Sequence, residues 1–105
     1  MVIEYVRYRI AAERHAEFLA AYRAASAHLA AAPECVSYEI AQGMEEPDRF
    51  VVRLTWSSIE AHERGFRGGP HFPPFLALVR PFLAQIEEMK HYQAAHAGAA
   101  RGEAS

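Results

Sequence analysis

The sequence predicts an α+β domain of ferredoxin-like topology, with a four-stranded antiparallel sheet covered on one face by helices. Three observations predict this fold. Four segments are rich in β-branched and aromatic residues or alternate between apolar and polar residues, as strands do. Helical segments follow the first and the third of these strands. With right-handed crossovers, the order strand, helix, strand, strand, helix, strand has the ferredoxin-like arrangement as its simplest layout.

The first strand is predicted over Val2–Ile10. Its alternation divides the side chains into two faces: Val2, Val6, Tyr8 and Ile10 on one, and Ile3, Tyr5, Arg7 and Arg9 on the other. A helix from Glu13 to about Ala31 follows, because this stretch is rich in alanine and Pro33 stands just past its end. One stripe of the helix is apolar and carries Phe18, Tyr22, Ala25 and Leu29.

The middle of the chain is predicted to form a β-hairpin, from Cys35–Ala41 and Phe50–Trp56. The sequence Glu-Glu-Pro-Asp at 45–48 has the composition of a turn between them. The first strand places Val36, Tyr38 and Ile40 on one face. The second places its inward residues at Phe50, Val52, Leu54 and Trp56, and its outward residues at Val51, Arg53 and Thr55.

Residues 57–60, Ser-Ser-Ile-Glu, match a capping box, so a helix is expected from there to about Phe66. Gly68-Gly69-Pro70 breaks it, and a second helical piece is predicted over Pro73–Arg80. Gln85–Tyr92 is the last predicted strand, in which His91 and Tyr92 take opposite faces. We therefore expect one domain over residues 1–92 and a frayed tail over residues 93–105.

Composition excludes several classes of function. The chain has 105 residues, 51% of them hydrophobic, and a net charge of −2 with scattered basic residues, which is not the footprint of a nucleic-acid-binding protein. The single cysteine, Cys35, cannot form an intrachain disulfide. Because no apolar run approaches the roughly 18–20 residues that span a bilayer, we expect a soluble, cytoplasmic protein without a membrane partner.

The helix-free face of the predicted sheet combines Ile3, Tyr5 and Val51 with Arg7 and Arg53. This surface is too apolar for full exposure and too charged for a core. A second copy of the same face would cover it, so we expect a homodimer formed through this face.

Four short segments together resemble the antibiotic biosynthesis monooxygenase family of dimeric α+β barrels: residues 56–62 (Trp-Ser-Ser-Ile-Glu-Ala-His), 65–68 (Gly-Phe-Arg-Gly), 81–82 (Pro-Phe) and 90–92 (Lys-His-Tyr). The resemblance covers roughly residues 1–92. It implies a split barrel made by two subunits, with a pocket between sheet and helices in each. Some members oxidise phenolic or quinol substrates with molecular oxygen and neither metal nor flavin; others degrade haem, and many have no known activity.

The chain departs from two branches of that family. For the haem-degrading members, the resemblance implies a site built from an asparagine, a tryptophan on a helix and a histidine. This chain has no asparagine, and its only tryptophan, Trp56, ends a strand. Polyketide-oxidising members also place an asparagine near the substrate. The resemblance therefore favours neither of these two arrangements.

A free phenol has a pKa of ~10, so its ionisation at neutral pH requires a base or a cation at the site. The predicted catalytic residues are His62, His71 and Arg67, which lie on either side of the Gly68-Gly69 break. This glycine break is a candidate mobile lid over the pocket. Solvated histidines and an Arg67–Glu63 pair are the structural alternatives. The predicted substrate-binding walls are Tyr8, Tyr38, Trp56, Phe66 and Phe72, for which an ordinary aromatic core is the alternative.

We thus expect a cofactor-independent monooxygenase acting on a small aromatic or quinol-type substrate. The alternative is a non-catalytic module of the same fold that binds a small apolar ligand or a partner protein. Another reaction on this fold, such as isomerisation, stays open.

No metal site is expected, because no histidine pair has the four-residue spacing of a zinc helix and there is no CxxC. An enclosed pocket with two polar side chains would favour the enzyme hypothesis. A helix layer packed solidly against the sheet would favour the non-catalytic module.

Overall fold

The computed structural model describes residues 1–100. Its strands are β1 (Val2–Arg9), β2 (Cys35–Gln42), β3 (Arg49–Trp56) and β4 (Ile86–Tyr92), and its α-helices are α1 (His15–Ala31) and α2 (Phe72–Val79). The strands form one antiparallel sheet in the order β2-β3-β1-β4. The predicted α+β, ferredoxin-like fold is confirmed. The predicted tail at 93–105 lies partly outside the described residues, since 101–105 are not described.

The alternation of the central strands fixes which residues enter the core. Val6 of β1 lies opposite Val52 of β3 and Met89 of β4, so these side chains share the helix-covered face. Phe18 of α1 is fully buried at the centre of that layer. Its ring centroid lies 4.9 to 5.3 Å from those of four aromatic side chains, namely Tyr8, Tyr22, Phe50 and Phe82. This aromatic cluster joins α1 to the sheet.

Strand β2 differs from its predicted alternation. Its register shifts between Cys35 and Ser37, so Val36 falls in a β-bulge and is 52% exposed. Tyr38 and Ile40 still lie opposite the inward residues of β3, as predicted. A bulge inserts one residue on one strand only, which the period-two pattern of the sequence does not reveal.

The region between β3 and α2 forms a different kind of helix from the one predicted. The first α-helical hydrogen bond runs from the His62 N–H to the Ser58 carbonyl at 3.2 Å, and Ser58 Oγ caps the same turn by accepting from the Ala61 N–H at 2.9 Å. Residues Ala61–Phe66 then form a π-helical segment, in which the Arg67 N–H donates to the His62 carbonyl five residues earlier. The helix after it spans Phe72–Val79 and continues as a 3₁₀ turn over Arg80–Gln85.

The helix-free face of the sheet carries the predicted mixture of aromatic and charged groups. Arg7 lies 5.4 Å from the Tyr5 ring centroid and 3.6 Å from the Glu88 carboxylate. Tyr92 packs edge-on against Tyr5 at 5.3 Å and donates to Glu88 at 2.6 Å. Within residues 1–100, no helix has both the length and the apolarity needed to span a membrane.

Candidate functional site

A cavity of about 220 Å³ lies between the helix-covered face of the sheet and α2. Its wall is mainly apolar and includes Val6, Leu54, Phe66, Phe75, Leu76 and Val79. Three lining residues are exposed to solvent, Arg67, Leu83 and Met89, and these mark its mouth. The volume exceeds an apolar cavity of ~150 Å³ that accommodates benzene, so it is large enough for one aromatic ring.

Glu4 is the carboxylate of the cavity wall. It occupies an inward position of β1 and is only 3% exposed. Its Oε1 accepts a hydrogen bond from Trp56 Nε1 at 3.0 Å, whereas no side chain or backbone group within residues 1–100 donates to Oε2. Burial raises the pKa of Glu4, against smaller lowering contributions from Trp56, His91 and Arg67. The carboxylate is therefore a stronger base than an exposed glutamate.

His62 lies beside Glu4 and also lines the cavity. The π-helical segment places its ring flat against Trp56, with ring centroids 4.3 Å apart and an interplanar angle of 14°. Its Nε2 lies 3.5 Å from Glu4 Oε1. Burial, followed by the charges of Arg67 and His91, lowers the pKa of His62 to about 4. At neutral pH the imidazole is uncharged, so its contact with Glu4 is not an ion pair.

His91 completes a row of three polar side chains. It lies opposite Glu4 in the β1–β4 pairing, and its Nε2 is 2.7 Å from His62 Nδ1. One donor atom from each of Glu4, His62 and His91 lies within 4.8 Å of the others, so this group could hold a metal ion. Two nitrogens bound to a tetrahedral zinc are, however, about 3.3 Å apart. The 2.7 Å contact is the length of a hydrogen bond, so one metal ion cannot bind both His62 Nδ1 and His91 Nε2 at this separation.

A second polar pair lies deeper in the cavity. The hydroxyl groups of Tyr8 and Tyr22 are 2.5 Å apart, and both residues line the wall. Burial raises the pKa of Tyr8 to about 12 and raises that of Tyr22 further. Both phenols are therefore neutral at physiological pH, and one hydroxyl donates to the other in a single hydrogen bond inside a mainly apolar environment.

Arg67 supplies a positive charge at the cavity mouth. It follows the π-helical segment directly, and its charge lowers the pKa of both His62 and Glu4. It forms no ion pair within residues 1–100, so the predicted alternative of a pair with Glu63 is not observed there. An arginine without a carboxylate partner is free to stabilise a negative charge on a ligand.

The structure brings six of the eight predicted site residues to the cavity: His62, Arg67, Tyr8, Trp56, Phe66 and Phe72. The other two lie elsewhere. His71 precedes α2 and is not part of the cavity lining; its carbonyl accepts from the Phe75 N–H at 3.3 Å. Tyr38 lies on β2, at the sheet edge away from the cavity, and is 37% exposed.

Glu4 is the main site residue that the sequence analysis missed. It stands between Val2 and Val6 on the inward face of β1, so a charged residue at an otherwise apolar position was the available signal. Alternation along β4 predicts opposite faces for His91 and Tyr92 but does not tell which of the two faces the helices. The pairing with β1 places His91 on the helix side, and Tyr92 on the opposite side.

The chain is similar to known proteins over most of its length. The sequence model of a family described as antibiotic biosynthesis monooxygenase matches residues 1–78. The uncharacterised protein YczJ of Bacillus subtilis is 26% identical over 77 residues, which cover 73% of this chain and 81% of YczJ.

Solved structures share the fold, and two of them are described here. One is a protein of Bordetella bronchiseptica, provisionally named an antibiotic biosynthesis monooxygenase; the TM-score is 0.79 at 22% identity, covering 90% of this chain and 97% of that one. The other is a variant of SnoaB, a cofactor-independent oxygenase from Streptomyces nogalater; the TM-score is 0.74 at 21% identity, covering 91% and 94% of the two chains.

Proposed function

Because the chain belongs to the antibiotic biosynthesis monooxygenase family, we propose that its cavity oxidises a small quinol-type aromatic substrate with molecular oxygen, without a cofactor. One observation carries the proposal: a buried carboxylate, Glu4, lines a mainly apolar cavity, and no group within residues 1–100 donates to its Oε2. A cavity of this kind with the two polar residues Glu4 and His62 favours an enzyme over a non-catalytic module.

The first step is ionisation of a substrate hydroxyl. Glu4 Oε2 takes the proton, and the raised pKa of Glu4 makes this transfer less unfavourable than to an exposed carboxylate. The guanidinium of Arg67 stabilises the quinolate that forms. Neutral His62 holds the carboxylate side of the cavity in place through its stacking on Trp56.

The later steps balance without an external reductant. The quinolate transfers an electron to oxygen, and the two radicals combine at a ring carbon to form a peroxide. Protonation of the peroxide, loss of the ring C–H proton and cleavage of the O–O bond release water. The sum is hydroquinone plus O₂ giving hydroxyquinone plus H₂O, so the substrate supplies all the electrons. Apolar walls such as Phe66 and Phe72 protect the intermediate from bulk water.

Oxygen consumption with a panel of monocyclic hydroquinones tests this function. Arg67→Gln is expected to lower kcat/KM by about 10-fold, equivalent to about 1.4 kcal/mol of transition-state stabilisation. Arg64→Gln is the matched control, because Arg64 is an exposed arginine of the π-helical segment that Arg67 follows and lies outside the cavity lining. If the unmodified protein consumes no oxygen above the buffer rate with any hydroquinone, the proposal is wrong.

We also propose that two chains associate through the helix-free sheet face; members of this family commonly dimerise. Val51 lies on this face, opposite Arg7. Val51→Glu is expected to shift the protein from dimer to monomer in sedimentation experiments at micromolar concentration. Val36→Glu, at the exposed bulge of β2, is expected to leave the dimer unchanged. A monomeric unmodified protein under these conditions would contradict the proposal.

A further inference from the structure

We propose that the Tyr8–Tyr22 pair binds a second oxygen of the substrate, an uncharged hydrogen-bond acceptor para to the hydroxyl that Glu4 ionises. The proposal takes its class of ligand from the proposed function and deepens it, because it selects para-quinols among the aromatic substrates. Both tyrosines line the cavity, and their hydroxyl groups are 2.5 Å apart. The oxidation steps above use neither tyrosine, so this polar pair has no role in them.

The pair has one hydroxyl hydrogen more than its own contact uses. Two hydroxyl groups carry two hydrogens, and the hydrogen bond between them engages one. Within residues 1–100, neither hydroxyl forms a further hydrogen bond. Tyr8 is 1% and Tyr22 3% exposed, so the cavity is the space from which an acceptor can reach them. A ligand that displaces water from the cavity must therefore accept the remaining hydrogen or leave it unsatisfied, at a cost in binding free energy.

The charges of the cavity wall favour an uncharged acceptor at this end. Burial keeps the pKa of both tyrosines high, so their hydroxyl groups are neutral donors. Among the residues that line the cavity, Arg67 is the only arginine or lysine, and it lies at the mouth. A carboxylate or phosphate beside the tyrosine pair would be buried without a counter-ion, at a large cost in free energy. A hydroxyl or carbonyl oxygen avoids this cost.

The spacing of Glu4 and Tyr8 favours a para arrangement of the two substrate oxygens. Both residues are buried on the helix-covered face of β1, four positions apart. At ~3.3 Å per residue, their Cα atoms are separated by about 13 Å along the strand. Oxygens on adjacent ring carbons would lie together at one end of this span. Para oxygens point away from the ring in opposite directions, so one can face Glu4 while the other faces the tyrosine pair.

Calorimetric titration under nitrogen tests this site with hydroquinone and 4-methylphenol, two ligands of similar shape that differ in one oxygen. The variant is Tyr8→Phe/Tyr22→Phe, because either single substitution leaves a hydroxyl whose hydrogen can still reach the ligand. Replacing both partners leaves neither hydroxyl unsatisfied, so urea denaturation is expected to show nearly unchanged stability. The preference for hydroquinone over 4-methylphenol, measured as the ratio of their dissociation constants, is expected to be about 5-fold smaller in the double variant.

Two controls separate this site from a general effect on the cavity. Tyr38→Phe removes a hydroxyl at the sheet edge away from the cavity and is expected to leave the ratio unchanged. Catechol and 2-methylphenol form the corresponding ortho pair of ligands. Their ratio is expected to be nearly the same in the unmodified protein and the double variant. An unchanged para ratio in the double variant, an equal change for the ortho pair, or no binding of either para ligand would overturn the proposal.

These titrations do not require turnover, so failure of this site and failure of the proposed function are distinguishable. If the unmodified protein consumes no oxygen but the para ratio falls in the double variant, the proposed function is wrong and the oxygen-binding site is supported. If the unmodified protein oxidises hydroquinone and the double variant keeps the para ratio, the proposed function is supported and the site is wrong.

Discussion

Glu4→Gln is expected to reduce oxygen consumption by about 10²- to 10⁴-fold, the range that a positioned general base contributes. Glutamine keeps the shape of the side chain and can still accept the hydrogen bond from Trp56, but it cannot take a proton. The measurement is kcat with the best hydroquinone. Glu39→Gln, which removes an exposed carboxylate from β2, is expected to have the unmodified rate.

The same substitution is expected to stabilise the protein at neutral pH. The pKa of Glu4 is raised in the folded state, so the folded protein binds more protons than the unfolded chain above pH 4.5. Stability associated with this group is fully present below its unfolded pKa and is lost as the pH rises through its folded pKa. The Glu4→Gln variant has no carboxylate at this position, so its stability does not fall in this way as the pH rises. Its advantage in urea denaturation is therefore expected at pH 7–8 and should vanish near pH 4.

Loss of activity together with a stability gain at neutral pH distinguishes a base from a structural residue. If Glu4→Gln kept an undiminished kcat, Glu4 would not be the base. If the variant were equally destabilised at pH 4 and pH 8, the carboxylate would be stabilising the fold through contacts that a neutral amide does not replace.

Phe18→Ala is expected to have the largest effect on stability, about 3–5 kcal/mol, because it opens a cavity at the centre of the aromatic cluster. Phe18 is fully buried and packs against Tyr8, Phe50 and Phe82. For a domain of this size the loss corresponds to a decrease in Tm of at least about 12 °C. Thermal and urea denaturation measure it.

Phe72→Ala is the matched control. It removes the same ring from a half-buried position in the cavity wall. Its expected effect is a smaller loss of stability and a higher KM for the hydroquinone. Equal destabilisation by the two substitutions would contradict the central position assigned to Phe18.

The sequence predicts the fold well because periodicity records burial directly. Phe18 and Trp56 lie on stripes whose spacing is that of a helix and a strand, and both are in the core. The π-helical segment is different, because its six residues span less than two turns and are too few to show whether the period is that of an α-helix or a π-helix. The ring position of His62 therefore could not be derived from its place in the sequence.

The candidate site is only partly predictable, because contacts between residues far apart in the sequence determine it. Glu4 contradicts the rule that charges avoid apolar faces, and only its neighbours in space, Trp56 and His62, explain its burial. Tyr38 was placed on the correct face of the sheet, but the order β2-β3-β1-β4 puts its strand at the far edge from the cavity. His71 follows the glycines as expected, yet the start of α2 leaves it outside the cavity wall.

Trp56 gives the protein a built-in optical reporter. It is the only tryptophan in the chain, is 1% exposed, and contacts the Glu4 carboxylate and the His62 ring directly. All indole fluorescence therefore originates at the candidate site. Ligand occupancy and protonation of the neighbouring groups can be followed by indole emission from the unlabelled protein, excited at a wavelength that the five tyrosines do not absorb.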